Sequence, residues 1–252
     1  PPSRVDRSNQ YDGDNGRSRR GSGTYYIEVV VEFQDQAIRQ DFIRKVYTIL
    51  AVMLLYTFGF VALCIFEKYT RLWVLEHTYV VFIALGIYIV PVFSLVCCDC
   101  ARRVFPLNFI LLSLVTISMA YIAAFASCFY DTKIVMSAFG GTALICILVT
   151  FIAWQDWFDV TTWGMYLCVA GCIVLMYGLV ATIVALLTGS TIMYLIYSCL
   201  LCLLFSMFLM YDTQQVVGGK RIQLSTEEYI LGALTLYIDI VTIFILLMDI
   251  IG

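Results

Sequence analysis

Long apolar runs dominate the chain from about residue 47 onward, and only short polar connections interrupt them. A run of about 20 apolar residues, wound as a helix, crosses the roughly 30 Å hydrocarbon layer of a bilayer. Seven such runs predict helices near 47–66, 78–97, 107–129, 134–154, 163–187, 191–213 and 228–251. Because the connections are short, consecutive helices are expected to lie largely antiparallel in one bundle, with no room for a second globular domain. The opening segment, PPSRVDRSNQYDGDNGRSRRGSGT, mixes Pro, Arg, Ser, Asn, Asp and Gly with almost nothing to bury. It predicts a disordered cytosolic tail over 1–24, followed by a juxtamembrane segment over 25–46 and a transmembrane domain over 47–252. No charged n-region leads directly into a short apolar core with a small-residue cleavage site, so a removable signal peptide is not expected. The first span is expected to act as its own insertion signal.

Composition agrees with the pattern. The chain is 62% hydrophobic and 13% charged, with a mean hydropathy of +0.92, against roughly 45–50% apolar content in a soluble domain. The fold class is therefore all-α integral membrane protein, a seven-helix bundle whose main partner is membrane lipid. With the amino end cytosolic, that side carries Arg39, Arg44, Lys45, Arg102, Arg103, Lys220 and Arg221, and the opposite side carries Lys68, Arg71 and Lys133. Seven against three favours that orientation. The net charge of −3 is spread thinly and resembles no nucleic-acid footprint.

Ten cysteines suggest a disulfide scaffold until they are placed. Cys64, Cys128, Cys146, Cys168, Cys172, Cys199 and Cys202 fall inside spans, where they serve as small packing residues. Cys97, Cys98 and Cys100 cluster at the cytosolic end of the second span and are candidates for palmitoylation. They are weaker candidates for a structural metal, because His77 is the only histidine and lies on the other side. A single histidine also removes the clustered ligands of a membrane metallohydrolase and the Ser–His pair of a membrane serine protease. All four lysines lie outside the spans, which excludes a Schiff base within the bundle. No enzyme and no resident cofactor is expected.

What remains is acid. In LTLYIDIVTIFILLM, Asp239 has at least nine uncharged residues on either side. It lies about 15 Å into the last helix, near the bilayer centre. A carboxylate facing lipid at that depth costs roughly 2.5–3.5 kcal/mol, so Asp239 is expected to face inward. Gly232, Thr235, Asp239 and Thr242 recur at three- and four-residue steps and form one small, polar face. Ser225-Thr-Glu-Glu228 reads as a capping box that starts this helix, with Glu228 reaching back to the amide of Ser225. A second acid, Asp212, occurs in FLMYDTQQVVGGK; it sits about 9 Å inside the sixth helix if that helix runs on to the glycine pair, and in solvent if the helix stops at Tyr211. Were the two acids to meet, like charge and desolvation would both favour one shared proton, and the doubly ionised pair would form a weak Ca²⁺ site.

Five stretches carry a family resemblance: FIRKVYTIL, RRVFPLNFILLSLVTISMAY, WQDWFDVTTWG, MYDTQQVVGGK and LSTEEYILGALTLYIDIVTIF. In this order and spacing they resemble the transmembrane Bax inhibitor motif family, most closely its Lifeguard branch. The resemblance implies a central last helix and a pH-sensitive calcium leak gated by Asp212 and Asp239, with Ca²⁺ as the transported ion and protons as the regulator. It also implies an arginine gate latch, for which Arg102 and Arg103 are the candidates, and residence in the ER, the Golgi or another endomembrane, with the plasma membrane as a further site. Protection against apoptosis follows from it too, with death-signalling or Bcl-2-type membrane proteins as partners. Asp249 departs from the family pattern. Two rival readings stay open. An intramembrane aspartyl protease also pairs Tyr-Asp with a second Asp, but it needs Gly-x-Gly before the second acid, where this chain has Leu236-Tyr237-Ile238. A non-conducting interaction protein restraining death-receptor signalling would use the acids only structurally.

Overall fold

The computed structural model describes the backbone of residues 15–155, 159–189, 192–218 and 222–252, and side chains from residue 36 onward. Two units divide the chain, Pro1–Asp41 and Phe42–Gly252. The helices are α1 (Asn15–Phe66), α2 (Lys68–Glu76), α3 (Tyr79–Cys97), α4 (Asp99–Arg103), α5 (Leu107–Ser127), α6 (Thr132–Ala153), α7 (Gly164–Thr188), α8 (Ile192–Val217) and α9 (Tyr229–Ile251), with a 3₁₀ turn at Thr161–Trp163. Among the described residues seven helices are long and apolar enough to cross a membrane, one over each of the seven predicted runs, the first starting earlier, at Gln36. Their antiparallel order follows from the short connections. Lys220 and Arg221, counted above for orientation, lie outside the described residues.

In the first unit the backbone is helical from Asn15. The expected disordered tail therefore differs over 15–24, and its first 14 residues lie outside the described ones. Helix extension explains the difference, because each added residue gains a hydrogen bond without a new nucleation cost.

In the second unit the core is built around α9. Two-thirds (67%) of its apolar window is buried, against 17–44% for the other spans. A helix surrounded on all sides must be apolar or small nearly all round, and α9 buries Ile230, Ala233, Leu234, Leu236, Tyr237, Ile243 and Phe244 among others. It packs against α5, α6 and α8, while α3 lies on α5 and α7 on α8. Phe58, Phe139 and Phe244 join α1, α6 and α9 through ring centroids 4.6–5.5 Å apart, in the tilted and edge-on geometries aromatic pairs prefer. Thr57 of α1 and Tyr237 of α9 share a buried hydroxyl–hydroxyl bond of 2.8 Å. Gly232 lets α9 approach its neighbours, since a Cβ there would lie 3.1 Å from Val216 and 3.5 Å from Val46. The last helix is central, as expected.

α8 ends at Val217, and Gly218 follows with φ +78°, the left-handed conformation that terminates a helix at little cost to glycine. Asp212 thus lies inside the helix, more than a turn from its end, and the alternative of a helix stopping at Tyr211 is removed.

Candidate functional site

The residues of the polar run after Tyr211 take separate tasks because successive helical positions face different neighbours. Thr213 turns its hydroxyl onto the Leu209 carbonyl at 2.6 Å. Gln214 is fully buried, and its Oε1 accepts the Val160 amide at 2.8 Å, tying the 3₁₀ turn to α8. Asp212 faces α9. There its carboxyl lies against that of Asp239, within hydrogen-bonding reach, and the Thr235 hydroxyl lies within reach of Asp212 as well. Asp239 is 5% exposed, and its Oδ2 is buried without a hydrogen-bond donor among the described residues. Besides Asp212, the described ionisable side chains near it on other helices include Tyr88 of α3 and Cys146 of α6, neither of which supplies positive charge. Two carboxyl groups in contact, deep in an apolar bundle and without a cation among the described residues, favour a proton between them or a metal ion.

The polar face of α9 is divided between this pair and packing. Thr235 belongs to the pair and also bonds the Gly232 carbonyl at 3.4 Å. Gly232 serves close packing, and Thr242 lies half-buried one turn beyond Asp239. No group of three His, Cys, Asp or Glu side chains able to hold a metal occurs among the described residues. The two aspartates thus offer a minority of the six to eight oxygens that Ca²⁺ takes.

Arg102 and Arg103 do not touch the acid pair. They lie on α4 and bind the start of α9: Arg102 pairs with Asp99 and, at 3.5 Å, with Glu228, while Arg103 pairs with Glu227 at 3.0 Å. The two pairs differ in burial. The Arg102 side chain is 12% exposed and Glu228 20%, whereas Arg103 and Glu227 are 51% and 69% exposed. This overturns the capping box. Glu228 itself occupies the N-cap position and makes no side-chain cap bond, because the guanidinium of Arg102 attracts its carboxylate more strongly than a neutral amide does. Ser225 Oγ accepts only a 3.5 Å bond from the Glu227 amide. Cys97, Cys98 and Cys100 are exposed, unbridged thiols around the start of α4.

At the opposite end of α9 the structure adds a residue whose role the sequence left open. Asp249 accepts the Tyr130 hydroxyl at 2.6 Å and the Tyr194 hydroxyl at 3.2 Å. Tyr130 lies in the α5–α6 connection, and burial together with the Asp249 carboxylate pushes its phenol above the usual tyrosine range, so it remains the donor. The Arg71 guanidinium fixes the same connection by donating to the carbonyl oxygens of Cys128, at 2.7 Å, and Tyr130, at 3.3 Å.

The family described as "Inhibitor of apoptosis-promoting Bax1" matches residues 39–252, the segment that contains both aspartates and both arginine–glutamate pairs. The chain belongs to the Bax inhibitor family. Within it the similarity is to the Lifeguard branch. Human protein lifeguard 3 is 36% identical over 221 residues, covering 88% of this chain and 71% of the relative. The mouse protein of the same name is 34% identical over 221 residues, covering 88% and 72%. Protein LIFEGUARD 3 of Arabidopsis thaliana is 26% identical over 220 residues, covering 86% of each chain. The chain is accordingly a multi-pass membrane protein of the Bax inhibitor family, which is not a known enzyme family.

Proposed function

We propose that this Bax inhibitor family protein is a pH-sensitive calcium-leak channel of an intracellular membrane, the ER or Golgi, with its amino end in the cytosol, and that its leak restrains apoptosis. The observation that carries the proposal is the contact between the Asp212 and Asp239 carboxyls inside the bundle, with no cationic side chain beside them among the described residues. One shared proton ties α8 to α9 and closes the path. Loss of that proton leaves two carboxylates that repel each other and attract a divalent cation, so protons and Ca²⁺ compete for the same oxygens. A site with two acidic ligands releases Ca²⁺ readily, as conduction requires. Arg102 acts as the latch by holding the start of α9 through Glu228, and removing it raises basal leak. The family's description, an inhibitor of an apoptosis-promoting protein, supports the cellular half of the reading. The test is Ca²⁺ flux from liposomes containing only the purified protein. Flux from wild type, strongly reduced in Asp239→Asn, supports the channel. Silence from both overturns it in favour of a non-conducting interaction protein.

A further inference from the structure

A pocket of about 420 Å³ lies between α1 and α5, within the range of sites that take small molecules. Its α1 wall is formed by Thr48, Val52 and Met53, and its α5 wall by Ser113 and Thr116. Of the four hydroxyls in this lining, those of Thr48, Ser113 and Thr116 are committed to their own helices, and that of Tyr56 is the remaining polar group. Thr48 donates to the Arg44 carbonyl at 2.7 Å, Ser113 to Phe109 at 2.7 Å and Thr116 to Leu112 at 2.8 Å. None of these three protons is offered to a guest, and with Ile49, Val52, Met53, Leu112 and Ile117 the lining is mostly carbon and suits hydrocarbon. A helix, about 10 Å across, does not fit whole into a space of this volume, whereas an acyl chain does.

Charge at the end of the pocket selects which hydrocarbon. Arg44 and Lys45 sit one helical turn before the lining residues Thr48 and Ile49, so they share faces with them. Both are exposed, and neither forms an ion pair among the described residues. Their apolar stems can lie along the helix while the charged heads reach the head-group layer. A cationic mouth continuous with an apolar pocket at span depth matches an amphiphile that has an anionic head and a long tail. We propose that the α1–α5 pocket binds one acyl chain of an anionic phospholipid whose head group is held by Arg44 and Lys45. The floor of the pocket reaches the last helix, because the Thr116 carbonyl accepts the Tyr237 hydroxyl at 3.4 Å, two residues before Asp239.

The test uses the full chain in a non-ionic detergent, titrated with dioleoylphosphatidylserine or dioleoylphosphatidylcholine and read by native mass spectrometry. One saturable phosphatidylserine adduct is expected, with a preference over phosphatidylcholine of at least tenfold, since each basic residue near an anionic head group contributes roughly fivefold. Arg44→Gln combined with Lys45→Gln is expected to erase the preference while leaving the weaker adduct. Ser113→Trp fills the pocket and is expected to weaken both lipids at least tenfold, and Val52→Trp from the opposite wall repeats the test should the first variant not fold. Ile173→Trp, on the exposed face of α7, is expected to change nothing. Equal affinity of the wild type for the two lipids, or an undiminished adduct in a folded pocket-filling variant, would overturn the proposal.

Discussion

Replacing Arg102 by alanine is expected to cost the bundle several times more than replacing Arg103, although the two are neighbours on one short helix and pair with neighbouring glutamates. The difference is burial. The Arg103–Glu227 pair is 51% and 69% exposed, and pairs of that kind contribute about 0–1 kcal/mol. Arg102 is 12% exposed, its Nε is buried without a partner, and its pair with Glu228 is 20% exposed on the acidic side. Breaking a fully buried pair costs about 3–5 kcal/mol. Partial wetting of Glu228 and the 3.5 Å separation reduce the expected loss for Arg102→Ala to about 2 kcal/mol, or roughly a 30-fold change in the folded-to-unfolded ratio. Unfolding by SDS titration in mixed micelles, followed by far-UV circular dichroism, measures it. A double-mutant cycle of Arg102→Ala with Glu228→Gln is expected to show a coupling of about 1 kcal/mol. Equal costs for the two arginines, or no coupling in the cycle, would refute the reasoning.

Asp249→Asn weakens two tyrosine hydrogen bonds to a charged acceptor and is expected to lower stability by about 2 kcal/mol, measured by the same titration; Tyr130→Phe, which removes the 2.6 Å bond, is expected to lose about half as much. Gly178→Ala would place a Cβ 2.4 Å from the Tyr197 ring and is expected to cost about 1–3 kcal/mol by forcing α7 from α8, with a matching fall in thermal midpoint.

Hydropathy alone was enough for the seven spans, because each must be apolar over the thickness of a bilayer. An inward-facing stripe on α9 was also legible, since Gly232, Thr235 and Asp239 could not all face lipid, whereas its central position was implied by the family resemblance. Sequence left Asp212 undecided because a helix end is set by a few terminal residues, and here the left-handed Gly218 lies six positions further on. The capping-box reading of Ser225 and Glu228 failed for a different reason. A local motif competes with distant charges, and Arg102, far away in sequence, claims the Glu228 carboxylate. Opposite charges in connections assigned to the same side of the membrane were the available signal. The Tyr130–Asp249 contact spans 119 positions, and nothing in the periodicity of either segment points to the other. Helix upstream of the first span was hidden because its apolar residues follow no helical period that would reveal it.

The central claim is that Asp212 and Asp239 share a proton that Ca²⁺ must displace. It is tested most directly by the pH profile of Ca²⁺ flux through wild type and Asp239→Asn in protein-only liposomes. Wild-type flux is expected to fall as protons are added on the acidic side of neutrality, and the folded Asn variant, which keeps the side-chain volume and loses the titrating group, is expected to give a low and flat profile. A folded Asp239→Asn protein that retains the wild-type pH profile would contradict the account.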